Sequence, residues 1–521
     1  MKICITKKYL VFPVNTQLPR KKVVFARDGE TVYRLNLALD AITPNFSAYI
    51  DVSRFLGEEL TLTVTPHVEV LPRESDTMDI PNLYGEPLRP AVHFTTRNGW
   101  HNDPNGLCYV DGVYHMFYQY NPGEPKWENM HWGHAVSADL LRWEERDTVL
   151  YPDEMGTMFS GCAVRDERNL LSDVTGADGA MLLYYTAAGK PFTQCMAYST
   201  DGFQTVTKYA GNPVLPNVIG SNRDPKVHWC KELGCYVMAL YLTENLFALY
   251  TSSDLLNWEE LQRIPLEGDR ECPDFFPLTD ADGVRWWVLI AAADKYLVGQ
   301  IQERAFVPRQ PVQSLHFGVS AYAGQTFHGL ENGRVVRIVW ERWGALSAPG
   351  FSQQMSIPME LSLKPFGDTV YLSALPVREL ESLVLERHHI EALRITPEAP
   401  YRFPMRGGTA QIIRLRGVLA ERGTITLTVF GRTVECNMTE NTIRYGKSVM
   451  PLSYTGAELD LTVITDRCSV EIFSDGGRMY LTDATGTAVM DRNQPVLSVA
   501  STEPYALSEL EVSPLASIWG G

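Results

Sequence analysis

Between residues 20 and 70 apolar and polar positions alternate with a period of two, as at Leu35, Leu37 and Leu39 of "YRLNLALD" and Leu60, Leu62 and Val64 of "ELTLTV". That period puts one row of side chains on each face of an extended chain, so it predicts a small β module. The next stretch, "LPRESDTMDIPNLYGEPLRP" (71–90), has no period and is rich in Pro and acids, which predicts a connector. From about 90 to 370 short apolar-aromatic runs are separated by Asp-Gly, Asn-Pro and Gly-rich turns, with almost no 3.6-residue period. Beyond about 375 the alternating runs lengthen, as in "GTITLTVFGRTVECNM" and "ELDLTVITDRCSVEIFSDGGRMYLT", the latter turning at Asp475-Gly476-Gly477. Such paired long strands predict a β-sandwich.

The middle region repeats. "SADLLRWEE" (137–145) returns as "SSDLLNWEE" (252–260), and a degenerate copy, "STDGFQTVTKY" (199–209), lies between them. Seven of nine positions agree between the first two, which makes coincidence a poor explanation, and their aspartates, Asp139, Asp201 and Asp254, lie 62 and 53 residues apart. An interval of about 55 residues suits a four-stranded propeller blade, and about 280 residues then hold roughly five. Trp143 and Trp258 in these repeats are expected to pack between blades. The fold class is therefore all-β: an N-terminal β module with its linker (1–85), a five-bladed β-propeller (86–370) and a C-terminal β-sandwich (371–521), the last expected to brace the propeller.

Bulk properties narrow the partners. A formal net charge of -16 and the lack of a basic stripe argue against nucleic acid. No run of 18 apolar residues offers a membrane span. Aromatic residues reach 11%, as is common in β-rich and sugar-binding proteins, and an acidic surface does not repel a neutral carbohydrate. The nine cysteines are odd in number and lack C-x-x-C spacing, so they read as reduced thiols rather than a zinc site. Lys7 and Lys8 interrupt the first apolar run, so a cytoplasmic protein is expected, or a secreted one had a leader preceded this sequence. Self-association into a homo-oligomer stays open.

A propeller gathers the first strands of its blades around one axial pocket, so residues far apart in sequence can converge there. Three polar strand starts carry a carboxylate: "WHNDPNG" with Asp103, "GSNRDPKV" with Asp224, and "GDRECPDFFPL" with Glu271. Each alone is compatible with a turn aspartate, a surface ion pair or a solvated acid. Pro104 with Asn105-Gly106 is expected to form a turn. His131 and His134 in "HWGH" do not make a metal pair, because residues three apart on a strand point to opposite faces; they are expected to hydrogen-bond around the pocket. No phosphate-binding loop or dinucleotide fingerprint occurs, so neither metal nor organic cofactor is expected.

Together with "FYQYNP" (117–122), "NMHWGHAVSADLLRWEE" (129–145), "FSG" (159–161) and "RELESL" (378–383), these motifs resemble, in order from Arg89 to about residue 365 and more loosely through the C-terminal domain, the β-fructofuranosidases of glycoside hydrolase family 32, the invertase, inulinase and levanase group. The resemblance implies a five-bladed propeller followed by a β-sandwich. It implies a retaining hydrolase that releases terminal β-D-fructofuranosyl units from sucrose, inulin or levan. Asp103 would be the nucleophile, Glu271 the acid/base and Asp224 the transition-state stabiliser. Asn102, Gln119, Trp127, Phe159, Ser160, Arg223, Cys272 and Tyr322 would bind substrate, with Arg223 orienting the carboxylates. The small-molecule or polymeric fructoside is then the partner.

Departures from the family pattern fall on the last blade. Where the family usually has Asp-x-Tyr-Ala-x-Gln this chain has "SAYAGQTF", with Ser320 in the acidic position; "WERW" stands for Trp-Gly-Trp, and "PMEL", with Met359, for Pro-Arg-Glu-Leu. These changes are expected to touch the pocket rim as well as the last blade and so bear on substrate choice, leaving the three carboxylates intact. A fructosyltransferase using the same covalent intermediate, a non-catalytic fructan-binding protein, and an inverting five-bladed relative acting on arabinans remain alternatives.

Overall fold

A computed structural model describes residues 1–344, 350–453, 458–491 and 493–520. Its strands form the three expected bodies. The N-terminal one pairs a four-stranded sheet with a three-stranded sheet around Phe12, Phe25, Leu35, Leu37 and Leu60. Its last strand, Arg73–Ser75, pairs with Tyr9–Val14, so the unstructured connector starts after residue 75 rather than at 71.

Five four-stranded antiparallel units follow. Their innermost strands are Gly99–Val110, Thr157–Arg165, Arg223–Cys230, Asp274–Thr279 and Ala321–Thr326. Each of these touches the next around a ring, and the fifth touches the first. Phe351–Ser352, between the second and third strands of the fifth blade, adds in parallel to Gly99 and Trp100 and so ties the fifth blade to the first. The outermost strand of the fifth blade runs Thr369–Pro376.

The repeated nonamers form the turn between third and fourth strands of a blade. Ser137 Oγ and the amides of Leu141 and Arg142 all bond the Asp139 carboxylate, and Ser252, Leu256 and Asn257 do the same for Asp254. An aspartate that accepts from amides two and three residues on replaces the missing ladder bonds of a tight turn. Leu140, Phe203 and Leu255 sit there with φ of 68°, 66° and 67°. Trp258 packs edge-on to Tyr184 of the preceding blade, its ring centroid 5.8 Å away, as expected for a residue between blades. Separate apolar clusters fill the spaces between blades one and two, two and three, and three and four, and a larger one shared with the sandwich packs blades four, five and one, so each blade buries both faces.

Two six-stranded sheets make the C-terminal sandwich, with its core at Leu427, Ile443, Leu461 and Val499. The expected turn is present as Asp475–Gly477. Polar bonds bind sandwich to propeller: Asp466 accepts from the amides of Ala91 and Val92 and pairs with His93 at 2.9 Å, and Glu471 accepts from the amide of Ile357. No helix among the described residues is long and apolar enough to cross a membrane.

Candidate active site

Every blade sends a distorted segment to the axis. In the first, the strand register slips twice, between His101 and Pro104 and between Asn105 and Cys108. "WHNDPNG" is thus a doubly bulged strand and not the turn its Asn-Pro-Asn-Gly chemistry predicts. The ladder to Val113–Asn121 supplies the bonds a turn would have made internally. Gly106 lies at φ 52°, and a Cβ there would come within 2.7 Å of the Phe117 ring. The second blade slips between Phe159 and Gly161, the third between Arg223 and Lys226, the fifth between Tyr322 and Gln325. At Gly161 a Cβ would lie 1.9 Å from the Tyr184 carbonyl oxygen, which explains the glycine of "FSG". Asp224, Glu271, Cys272 and Ala323 all have positive φ, at 66°, 63°, 43° and 53°. Bulges and left-handed residues turn side chains out of the strict in-out alternation, and such strain gathers where a site needs several groups aimed at one point.

The side chains meet as follows. Asp103 is buried; one carboxylate oxygen accepts from Asn102 Nδ2 at 3.0 Å and the other from Ser160 Oγ at 2.5 Å. Gln119 links them, accepting from Asn102 Nδ2 at 3.0 Å and donating to Ser160 Oγ at 2.6 Å. The Cys272 thiol lies between two carboxylates, 3.5 Å from Asp103 Oδ2 and 3.4 Å from Asp224 Oδ2, while its amide donates to the same Asp224 oxygen at 3.0 Å. Glu271, next in the chain, receives Arg223 Nη2 on one oxygen at 2.8 Å and the Tyr322 hydroxyl on the other at 2.7 Å. Arg223 Nε stands 3.7 Å from Asp224. Its hydrogen bonds go to Glu271 and to Ser221, and Asp103 is oriented by Asn102 and Ser160 instead of by the guanidinium. Phe159 meets Trp127 edge-on at 6.0 Å, and Trp127 is 48% exposed on the loop between the second and third strands of its blade. All eleven sequence-predicted site residues thus fall on these five axial segments or on strands and loops directly beside them.

Residues 93–374 match the family model for the glycosyl hydrolases family 32 N-terminal domain. The chain belongs to glycoside hydrolase family 32. It is 32% identical over 495 residues to a levanase of Bacillus subtilis, covering 84% of this chain and 72% of that protein. It is 34% identical over 343 residues to an invertase of Schizosaccharomyces pombe, covering 60% of this chain and only 58% of that one. Among solved structures, exo-inulinase from Aspergillus awamori superposes with a TM-score of 0.72 at 25% identity, over 84% of this chain and all of the other.

Electrostatics of this family 32 site follow from its burial. Withdrawal from water raises the Asp103 carboxyl above its ordinary value; Ser160 and Asn102 pull it back, while Glu271 pushes it further up. Burial lifts Asp224 to about 7 despite the opposing charge of Arg223, and Asp103 adds to the rise. The Cys272 thiol is raised by burial and by the Asp224 and Asp103 charges, so it stays protonated and acts as a weak donor to both.

Keeping Asp224 charged in its buried place therefore costs stability at neutral pH. A carboxyl whose folded pKa exceeds its unfolded value costs nothing below about pH 4. The cost grows as pH rises toward 7 and is complete above it. Asp224→Asn is expected to melt higher than the wild type at pH 8, by about 2 °C or more, with the gap closing toward pH 4, while turnover falls by about 10²-fold or more. Thermal melts at pH 4, 6 and 8 check this; an equal or lower melting point at pH 8 would show that burial of this charge carries no cost.

Several neighbours escape motif reading. Trp100 Nε1 donates to Asn102 Oδ1 at 2.9 Å, Thr186 Oγ1 receives the Asp224 amide at 2.9 Å, and the Arg342 guanidinium lies 4.3 Å from the Tyr322 ring centroid. Trp340, in the atypical "WERW", packs edge-on to both Trp100 and Tyr322. Ser320 faces away from the axis: its hydroxyl accepts from the Ala484 amide at 2.7 Å and donates to the Ala484 carbonyl, in the joint with the sandwich. This departure therefore touches the inter-domain joint and not the pocket rim. The "HWGH" histidines also differ from expectation. His131 Nε2 pairs with Tyr33 of the N-terminal module at 2.6 Å and His134 Nε2 with His115 at 3.0 Å, and burial pushes both down to about 3. Three cation-ligand atoms approach within 4.8 Å at His93, Glu341 and Glu471, but these lie in the sandwich joint, where His93 already pairs with Asp466.

Proposed function

We propose that the protein is a retaining glycoside hydrolase that releases terminal β-D-fructofuranosyl units from sucrose or from inulin- and levan-type fructans. The observation that carries this reading is the Cys272 thiol, 3.5 Å from Asp103 and 3.4 Å from Asp224, with Glu271 as its chain neighbour. Carboxylates from three blades are thereby brought together at one end of the axis, Asp103 and Asp224 through a shared thiol and Glu271 beside it in the chain. The names of the relatives, levanase, invertase and exo-inulinase, all denote activity on fructosides.

In this reading Asp103 attacks the anomeric C2. Its oxygen forms a bond to C2 as the C2–O glycosidic bond breaks, and Glu271 gives its proton to the departing oxygen. Water then enters, loses a proton to Glu271 and displaces Asp103, freeing fructose with configuration retained. Asn102 and Ser160 hold the nucleophile in place, so attack requires no search over rotamers. Arg223 and Tyr322 hold Glu271 from two sides and fix the line along which its proton travels. Asp224, kept by Cys272 and Arg223, accepts sugar hydroxyls and opposes the positive charge that develops at the ring. Amides at Asn102 and Gln119 donate and accept at once, as a polyhydroxylated ligand needs.

The covalent intermediate can also pass to a sugar acceptor, so the test reads products as well as rates. With sucrose, 1-kestose, inulin and levan, free fructose is expected as the main product, even at high sucrose. Predominant kestose-like oligomers would make the enzyme a transferase. Equal and negligible fructose release from the wild type, Asp103→Asn and Glu271→Gln would make it a binding protein.

A further inference from the structure

The N-terminal module lies outside the 93–374 family match, yet it grips the loop that carries Trp127. Arg20 reaches three points on that loop: Nε to Glu124 at 3.1 Å, Nη1 to Glu128 at 2.9 Å and Nη2 to the Trp127 carbonyl at 3.3 Å. Around it, Asn36 and Asn129 exchange backbone and side-chain bonds at 2.8 and 2.9 Å, Asn36 Nδ2 also holds Glu128, and the Ala38 amide donates to Glu124. Lys126 reaches back to the Thr16 carbonyl, and Tyr33 holds His131. The loop is thus tied to the module at residues 124, 126, 127, 128, 129 and 131.

Trp127 itself stands free. It is the exposed tryptophan among the described residues, and its ring stands nearly perpendicular to that of Phe159 in the axial site, centroids 6.0 Å apart. An indole presenting its face beside a sugar pocket fixes the apolar side of a sugar only if its backbone is fixed. Glu124 is almost wholly buried, so without Arg20 the loop would hold a buried carboxylate with one amide for company and a second carboxylate nearby.

We propose that Arg20 is a positioning residue for substrate binding, acting from the N-terminal module through the backbone of the 121–131 loop to set Trp127 against the sugar. This rests on the reading of Trp127 as a substrate contact. A stacking contact made alike by substrate and transition state affects binding and leaves the chemical step alone.

The experiment is a double-mutant cycle on the full chain with sucrose and 1-kestose. Arg20→Ala is expected to raise KM by about tenfold with kcat within about twofold. Arg20→Lys, which keeps the charge but not the three-way reach, is expected to restore part of the loss. In a Trp127→Ala background, Arg20→Ala is expected to change KM no further, because its effect runs through the indole. Additive effects, an unchanged KM, or equal falls in kcat and active-protein fraction would overturn the assignment. Should Arg20→Ala fail to fold, Glu128→Gln removes one of its partners and is expected to raise KM in the same direction; an unchanged KM there overturns it equally. Calorimetric titration of fructose into Asp103→Asn with and without Arg20→Ala gives the binding readout independently of turnover. A wild type without fructoside turnover would refute the proposed function, whereas identical affinities in that titration would refute the role of Arg20.

Discussion

Asp103→Asn is expected to lower kcat for fructose release by about 10⁴-fold or more while leaving the chain folded. An amide has no charge with which to attack C2, and water has to do the displacement unaided. The surroundings tolerate the change: the site is lined by a hydroxyl, an amide and a thiol that can donate to or accept from the new side chain. Burial raises the Asp103 carboxyl, so loss of its charge at neutral pH relieves desolvation and the variant is expected to be at least as stable as the wild type there. The same rise has a kinetic consequence. In its proposed role Asp103 works only when ionised, so kcat/KM is expected to fall on the acid side at a pH above the ordinary aspartate range. Stopped assays with sucrose from pH 4 to 8, beside melting curves, check both statements. A variant retaining more than a tenth of the rate would remove Asp103 from the nucleophile role.

Glu271→Gln is expected to lose about 10³-fold in kcat on sucrose, within the range typical of general acid–base groups. Its signature is dependence on the leaving group. With β-D-fructofuranosyl fluoride, whose fluoride departs without a proton, the first step is expected to recover to near the wild-type rate, and hydrolysis of the intermediate becomes the slow step. A burst of fluoride followed by a slow phase is the expected trace. The substituted side chain still offers an oxygen and an amide to Arg223 and Tyr322, so the pocket geometry survives the exchange. Equal losses on sucrose and on the fluoride would mean that Glu271 positions substrate and moves no proton.

Much of the fold is legible in the chain itself. Alternation at Leu35 and Leu37 becomes a real sheet, Leu39 adding one bridge to Val14, and the "SADLLRWEE" repeat marks equivalent turns in the first and third blades. The five blades follow from the repeat intervals, and the sandwich from the longer alternating runs beyond residue 375. The bulges are not legible. "NDPNG" has the local chemistry of a turn, and only the ladder to Val113–Asn121, fixed by the rest of the blade, keeps it extended. The same limit hides the true partner of Arg223, because the Arg-Asp adjacency in sequence says nothing of a glutamate 48 positions on. Ser320 turned to Ala484 and Arg20 clamped to Glu124 and Glu128 rest on contacts 164 and more than 100 residues apart. Local pattern reports the propensity of a segment; which neighbour it meets is decided by tertiary packing.

The proposed reaction passes through a covalent fructosyl intermediate on Asp103. Acid-quenching Glu271→Gln during turnover of β-D-fructofuranosyl fluoride, followed by proteolysis and peptide mass analysis, detects that intermediate. One added fructosyl residue is expected on the peptide containing "WHNDPNG", localised to Asp103 and absent from Asp103→Asn. An adduct on Asp224 or another residue, or turnover with an inverted first product and no adduct at all, would contradict it.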